Sequence, residues 1–464
     1  MLFTDFYFMF LFVPIVLLAV WNLKSRQHRF LTLLIASYIF YAAWNYKFVS
    51  LLLFSTCVDF FSGLLISRSK QNRKAKKIFI ILSVSCNLAI LGFFKYSNFF
   101  IGDVQAILTL LGLDLNIPLL RVILPVGISF YTFQSMSYTI DVYRGRVKAT
   151  RNFLKFASYV SLFPQLVAGP IVRYKDIDKQ LDNMDKPFSL ANLTFGLQFF
   201  LLGLFKKVLF ADSLARMINP MFDNYLELGQ FEAWMAVLGY AFQIYFDFSG
   251  YSDMAVGLGK MIGLQLPYNF NSPYKAANMA DFWRRWHITL STWLRDYLYI
   301  PLGGNKCSKK RIVVNILVVF TLGGLWHGAA WTFVIWGIYQ GILVAGYYVL
   351  KQLWESTPIF IQRTLTFFLV VIGWIFFRSD NIAMAFTLLE KMFHLPNTRN
   401  PLSSELILLA VWNGILLCVV NLLSNTNSFK GNRNPFAAIV FAFLFVLSII
   451  AINSQRIEFL YYQF

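Results

Sequence analysis

Charge is scarce in this sequence: Asp, Glu, Lys and Arg together make up 14% of 464 residues, where an ordinary soluble chain has about 25%. Cysteine and histidine are scarcer still, with four of each. Cys57, Cys86, Cys307 and Cys418 are scattered and three of them lie in apolar runs, so no disulfide framework follows. There is no Cys-x-x-Cys pair and no His-Glu-x-x-His, which argues against a zinc site, and no metal is expected. The chain also lacks a Gly-x-Ser-x-Gly nucleophile elbow. Gly257-Leu-Gly259-Lys260 resembles the end of a phosphate loop, but Met254 stands where its first glycine belongs. No histidine is followed five residues later by aspartate, and no fixed-period repeat supports a solenoid or an inverted-repeat transporter.

Apolar residues are abundant, at 58%. Stretches such as Phe6–Asn22, Leu31–Trp44, Ile78–Phe94, Leu406–Leu423 and Phe436–Ile452 approach the roughly 20 apolar residues a helix needs to cross a bilayer. The composition predicts an all-α integral membrane protein with ten to twelve crossings, forming one membrane domain over residues 1–464. The first five residues carry no Lys or Arg and no small-residue cleavage site follows the first apolar run, so the first helix is expected to stay in the mature protein.

The formal net charge is +19, yet Lys and Arg gather in short segments between apolar runs: Lys24 to Arg29, Arg68 to Lys77, Lys306 to Arg311 and Lys430 to Arg433. That is the positive-inside pattern, which places those loops in the cytoplasm and, by counting spans, both termini outside. Nucleic acid is not an expected partner, because binding it needs a basic stripe on one folded face.

From about Arg121 to Gly341 the apolar runs are broken by Pro, Gly and polar residues, as in Leu-Pro-Val-Gly-Ile-Ser-Phe at 124–130 and Phe-Pro-Gln-Leu-Val-Ala-Gly-Pro at 163–170. Irregular backbone at membrane depth survives where protein buries it or where it lines a water-filled cavity. The middle of the chain therefore forms either a cavity or re-entrant packing elements. Gln134, Asp141, Gln165, Gln243, Asp247 and Asp253 lie within or beside apolar surroundings and favour the cavity.

Of the four histidines, His28 sits in a basic turn and His394 in Phe393-His394-Leu395-Pro396, which reads as a helix exit; both are expected at the interface. His327 lies in Gly-Gly-Leu-Trp-His-Gly-Ala-Ala-Trp at 323–331, sixteen residues beyond Arg311. As a helix that distance is about 24 Å, within a hydrocarbon core of about 30 Å, although Gly323 and Gly324 offer a bend. An intramembrane histidine is a functional candidate, with a structural hydrogen bond to a helix carbonyl as the alternative. Trp331, four residues on, is expected to share its face, and Trp326 precedes it.

His287 lies in Asp281-Phe-Trp-Arg-Arg-Trp-His-Ile-Thr-Leu-Ser-Thr-Trp-Leu-Arg-Asp. As one helix this segment places Arg284, His287, Ser291 and Arg295 along a stripe and sets Asp281 against Arg285, with Asp296 beside Arg295. It reads either as an interfacial amphipathic helix or as an anion site for a phosphate-bearing donor. A buried histidine with no serine, cysteine or metal motif beside it points to general-base help for a hydroxyl attacking an activated ester.

These segments resemble the membrane-bound O-acyltransferases. The likeness is strongest in Asp281–Asn305, with Trp-Leu-Arg-Asp-Tyr-Leu-Tyr-Ile-Pro-Leu-Gly-Gly-Asn, and in Gly323–Gly341; Pro125–Gly145, Phe163–Arg173 and Tyr245–Asp253 add to it. Within the family the chain is most similar to the bacterial branch that acetylates cell-envelope polymers such as alginate. The resemblance implies a helical fold around a central funnel or tunnel, with His327 at the family's histidine and His287 at its second, upstream polar position. It also implies acetyl-CoA as the donor, an exported polysaccharide or a periplasmic acetyltransferase as partner, the bacterial inner membrane as location, and no resident cofactor. Arg284, Arg285, Ser291, Arg295, Asp296, Trp326 and Trp331 are the candidate donor-binding residues. Peptidoglycan O-acetylation, teichoic-acid D-alanylation and lipid-linked sugar transport are the alternatives.

Overall fold

The computed structural model describes residues 1–464 except 70, 114–116, 395–402, 433, 453–458 and 461–464. Lys70 and Arg433, from two of the basic clusters, and residues 395–397 beyond His394 lie outside the described residues. Helices account for all the regular structure there, and no strand occurs among the described residues. Among the described residues, eight helices have the length and hydropathy of a membrane span, and Phe8–Asn22 is a shorter apolar helix. Two more long helices, Arg26–Asn45 and Gln230–Ile262, fall outside the eight. The latter carries Gln243, Asp247, Ser249, Ser252 and Asp253 buried along its length, which lowers its hydropathy. The protein is thus a multi-pass helical membrane protein.

The chain folds as two compact units, Met1–Phe200 with Met254–Pro267, and Leu201–Asp253 with Tyr268–Phe464. In the first, three helices, α1 (Lys47–Arg68), α2 (Arg73–Leu110) and α3 (Ile128–Tyr143), enclose a polar knot. Asp59 of α1 is fully buried and accepts hydrogen bonds from Ser83 and from Asn87 (3.0 Å) of α2 and from Thr139 (2.9 Å) of α3. Apolar surroundings make each of these bonds costly to lose, so the knot fixes how the three helices align. Gln165, also buried, donates to the Tyr159 carbonyl at 2.7 Å, and Asp141 lies 3.7 Å from Arg146.

The second unit holds α4 (Gln230–Ile262) through Asp253, followed by two short helices, α5 (Met279–Arg285) and α6 (Ile288–Leu294). Three spans follow: α7 (Lys309–His327), α8 (Trp331–Val349) and α9 (Ile359–Arg378). Ser308 caps α7 by accepting from the Arg311 amide, and Asn278 caps α5 by accepting from the Asp281 amide. The buried carboxylates of α4 are neutralised by lysines: Asp253 lies 2.6 Å from Lys206, while Lys207 sits 2.5 Å from Asp247 and 2.6 Å from Asp212. The six polar residues that favoured a cavity in the sequence therefore include structural partners of this kind. None of the six lines the cavity described below.

Candidate active site

α7 and α8 form a tight antiparallel hairpin. A β-carbon on Gly324 would come within 2.3 Å of the Phe333 carbonyl and 3.0 Å of Gly337, so only hydrogen fits there. Gly323 and Gly324, where the sequence offered a bend, lie inside α7, which runs through them to His327. The chain then turns through Gly328, where a β-carbon would overlap the Phe333 ring at 2.1 Å. Because α7 stops at His327 and α8 begins at Trp331, the expected shared helical face does not exist, and Trp331 is 51% exposed.

His327 is buried in an aromatic box. Its ring lies 5.0 Å from Trp326, 5.1 Å from Trp336 and 5.2 Å from Phe377, each near-perpendicular to it. The imidazole also lines a cavity of about 740 Å³, in company with Gly323, Trp336, Trp283 and Phe320. That volume suits a small organic ligand, for which about 300–1,000 Å³ is usual. The cavity's other lining residues include Arg284, Ser291, Arg295, Tyr299, Asn305, Tyr347, Lys351 and Glu355.

This chemistry is graded along the hairpin. Asn305 precedes α7, and Tyr347 and Lys351 lie at the end of α8, so the charged lining sits at the hairpin end that carries Lys306–Arg311. His327 sits at the other end of α7, about 27 Å of helix away. Arg284 and Arg295 are exposed. Arg295 pairs with Asp296 at 2.8 Å, whereas Arg284 makes no ion pair among the described residues, which leaves its guanidinium available to an anion.

The segment 281–299 is not one helix. It breaks at His287, whose backbone is left-handed (φ 41°, ψ 54°), and Arg295–Tyr299 continues as a π-helical turn. Arg284, Ser291 and Arg295 still reach the same cavity, but His287 leaves the stripe and is fully buried behind it. Its ring contacts Phe248 at 4.7 Å and Trp326 at 6.1 Å, so the Trp326 indole neighbours both histidines. His287 Nδ1 lies 3.1 Å from Asn269 Oδ1. Burial pushes its imidazole down to about 3, so the ring is neutral at physiological pH.

Asp281 faces Arg285 as the spacing predicts, with both carboxylate oxygens 3.0 Å from Nε. That pairing, with a further bond to the Asn271 carbonyl, holds Arg285 off the cavity lining, and Asp296, Trp326 and Trp331 are also absent from it. Sequence reasoning missed Trp283, Trp336, Tyr347, Lys351 and Asn269. Lys351 and Glu355, four apart and just past an apolar run, were a legible sign of a charged rim. The exposed His28 begins Arg26–Asn45, and His394 follows Ile382–Phe393 as a helix exit.

The membrane-bound O-acyltransferase family model matches residues 37–387. The chain belongs to that family. This O-acyltransferase is 43% identical over 396 residues to a probable alginate O-acetylase of Pseudomonas aeruginosa, covering 85% of this chain and 75% of the relative. It is 39% identical to the peptidoglycan O-acetyltransferase of Helicobacter pylori over 84% of this chain and 80% of that protein. The teichoic acid D-alanyltransferase of Bacillus subtilis shares 30% identity over 48% of this chain and 58% of its own length.

Proposed function

We propose that this O-acyltransferase takes an acetyl group from cytoplasmic acetyl-CoA for O-acetylation of an exported, alginate-like cell-envelope polysaccharide in the bacterial inner membrane. The observation that carries this reading is the cavity that joins a charged rim, with Arg284, Arg295 and Lys351 beside Asp281 and Glu355, to His327. Arg284, Arg295 and Lys351 would hold the donor's phosphates at the hairpin end that the basic cluster marks as cytoplasmic. The narrow acyl arm would extend toward His327. The relatives named for alginate and peptidoglycan acetylation support acetyl as the group transferred.

At the deep end, a ring nitrogen of His327 accepts the proton of an acceptor hydroxyl as its oxygen attacks the thioester carbonyl. The carbon–sulfur bond breaks and the thiolate leaves, taking up a proton to become free thiol. The same imidazole suits a brief acyl-carrier role, in which a ring nitrogen is acetylated first and the hydroxyl then attacks the acyl-imidazole. A periplasmic acetyltransferase is the expected immediate acceptor or partner on the outer face, and both termini lie on that side.

Labelled acetyl-CoA supplied to the cytoplasmic side of reconstituted vesicles tests this directly. Label appearing as oxygen ester on a uronic-acid polysaccharide or on a partner at the opposite side, with free CoA released, is the expected result. CoA release with no acceptor acetylated under any condition, or polysaccharide moving across the membrane without CoA release, contradicts it.

A second reading, peptidoglycan as the final acceptor, rests on the similarity to the Helicobacter pylori enzyme. Muramic-acid residues bearing label in place of uronic acids would select it.

A further inference from the structure

We propose that Asn269 is a positioning residue that locks His287 into one tautomer, with the proton on Nδ1 and the lone pair on Nε2. This inference rests on the reading that His287 belongs to the catalytic centre.

One oxygen, Asn269 Oδ1, meets three groups. Asn269 Oδ1 lies 3.2 Å from the Thr289 backbone nitrogen, 2.9 Å from Thr289 Oγ1 and 3.1 Å from His287 Nδ1. A backbone N–H can only donate, so the atom facing it must be the amide oxygen and not the amide nitrogen. That settles the orientation of the Asn269 side chain. An amide oxygen can only accept, so the His287 atom beside it must carry hydrogen. Nδ1 is therefore the protonated nitrogen and Nε2 the basic one in the neutral ring.

The backbone is built to hold this arrangement. Residues 269–271 pair with the break on either side of His287: the Asn271 amide donates to the Arg285 carbonyl and the Ile288 amide to the Asn269 carbonyl, both at 2.9 Å. Left-handed backbone at a residue other than glycine costs about 1–3 kcal/mol and persists where its surroundings over-determine it. Here two main-chain bonds and a side-chain clamp do so. The Asn269 amide nitrogen reaches Ser252 Oγ of α4 at 3.4 Å, anchoring the clamp to a third segment.

Among the described residues, groups packed about His287 include Phe248 from α4, Asn269, Thr289 from α6 and Trp326 from α7, and none of these four carries a charge. Asn269→Asp keeps every acceptor contact and adds a negative charge beside Nδ1, which favours the imidazolium. The neutral ring would then be lost at a higher pH on the acid side. Asn269→Leu removes the acceptor and frees the tautomer.

The experiment measures acetyl transfer from labelled acetyl-CoA by the full chain in vesicles, with its acceptor, from pH 5 to 9. Variants His287→Ala, Asn269→Leu and Asn269→Asp are compared at matched folded protein, judged by detergent size-exclusion profile. Asn269→Leu is expected to lose about 10–100-fold in kcat with KM for acetyl-CoA unchanged, the usual range for loss of an orienting partner. Asn269→Asp is expected to recover most of the rate at high pH and to show its acid limb shifted upward. Loss of His287→Ala activity with a wild-type rate and pH profile in both Asn269 variants overturns the tautomer lock. An equal fall in both Asn269 variants at every pH, with no shifted limb, overturns it as well, because a purely structural role predicts that. Full activity of His287→Ala contradicts instead the placement of His287 in the catalytic centre.

Discussion

His327 and Arg284 line the same cavity, one buried and the other exposed, and their surroundings suit them to different parts of the proposed reaction. The aromatic box keeps bulk water from His327 and leaves it facing the cavity, which favours a proton transfer confined to substrate. Arg284 is exposed and makes no ion pair among the described residues, so the proposed reaction gives it a role in binding. Arg284→Ala is expected to raise KM for acetyl-CoA about three- to tenfold, with kcat little changed, as suits loss of about one kcal/mol at a solvated rim. The penalty should shrink in high salt, because exposed charges are screened. A steady-state comparison at 50 and 500 mM salt checks both points; an unchanged KM would remove Arg284 from the donor site.

Among helices and turns, the glycines near His327 account for the hairpin's closeness. Gly324→Val has no space, since its first carbon already meets the Phe333 carbonyl. Overpacking of this sort costs about 1–3 kcal/mol, so a lower melting temperature in detergent together with reduced transfer is expected. A variant as stable as wild type would show that the two helices separate easily. The sequence made α7 and its terminal histidine legible, because a basic cluster and an apolar run fix both the start and the depth of a span. It concealed the break at His287. Periodicity favours a continuous helix through 281–299, and the bonds that reward the left-handed turn come from Asn269 and Asn271, more than a dozen residues upstream. Trp331 misled for a similar reason: spacing by four implies a shared face only while the helix continues, and it ends at His327.

For the whole molecule, composition was enough to establish a multi-pass helical protein. The number of crossings was less accessible, because buried carboxylates such as Asp247 and Asp253 lower the hydropathy of the long helix Gln230–Ile262. Orientation is a separate matter of charge distribution. A single cysteine at position 310 in a cysteine-free background should react with an impermeant maleimide in inside-out vesicles and stay protected in intact cells. Labelling from the periplasmic side would invert the topology and move the cationic rim away from cytoplasmic acetyl-CoA.

Substitution of His327 shows whether its imidazole performs the acyl chemistry in this cavity. In cells making the polysaccharide, His327→Ala protein inserted at wild-type level should leave ester-linked acetate on the exported polymer reduced by at least ~100-fold, as loss of a general base predicts. Acetate at the wild-type level in that strain, with no other acetylation system present, would contradict the account.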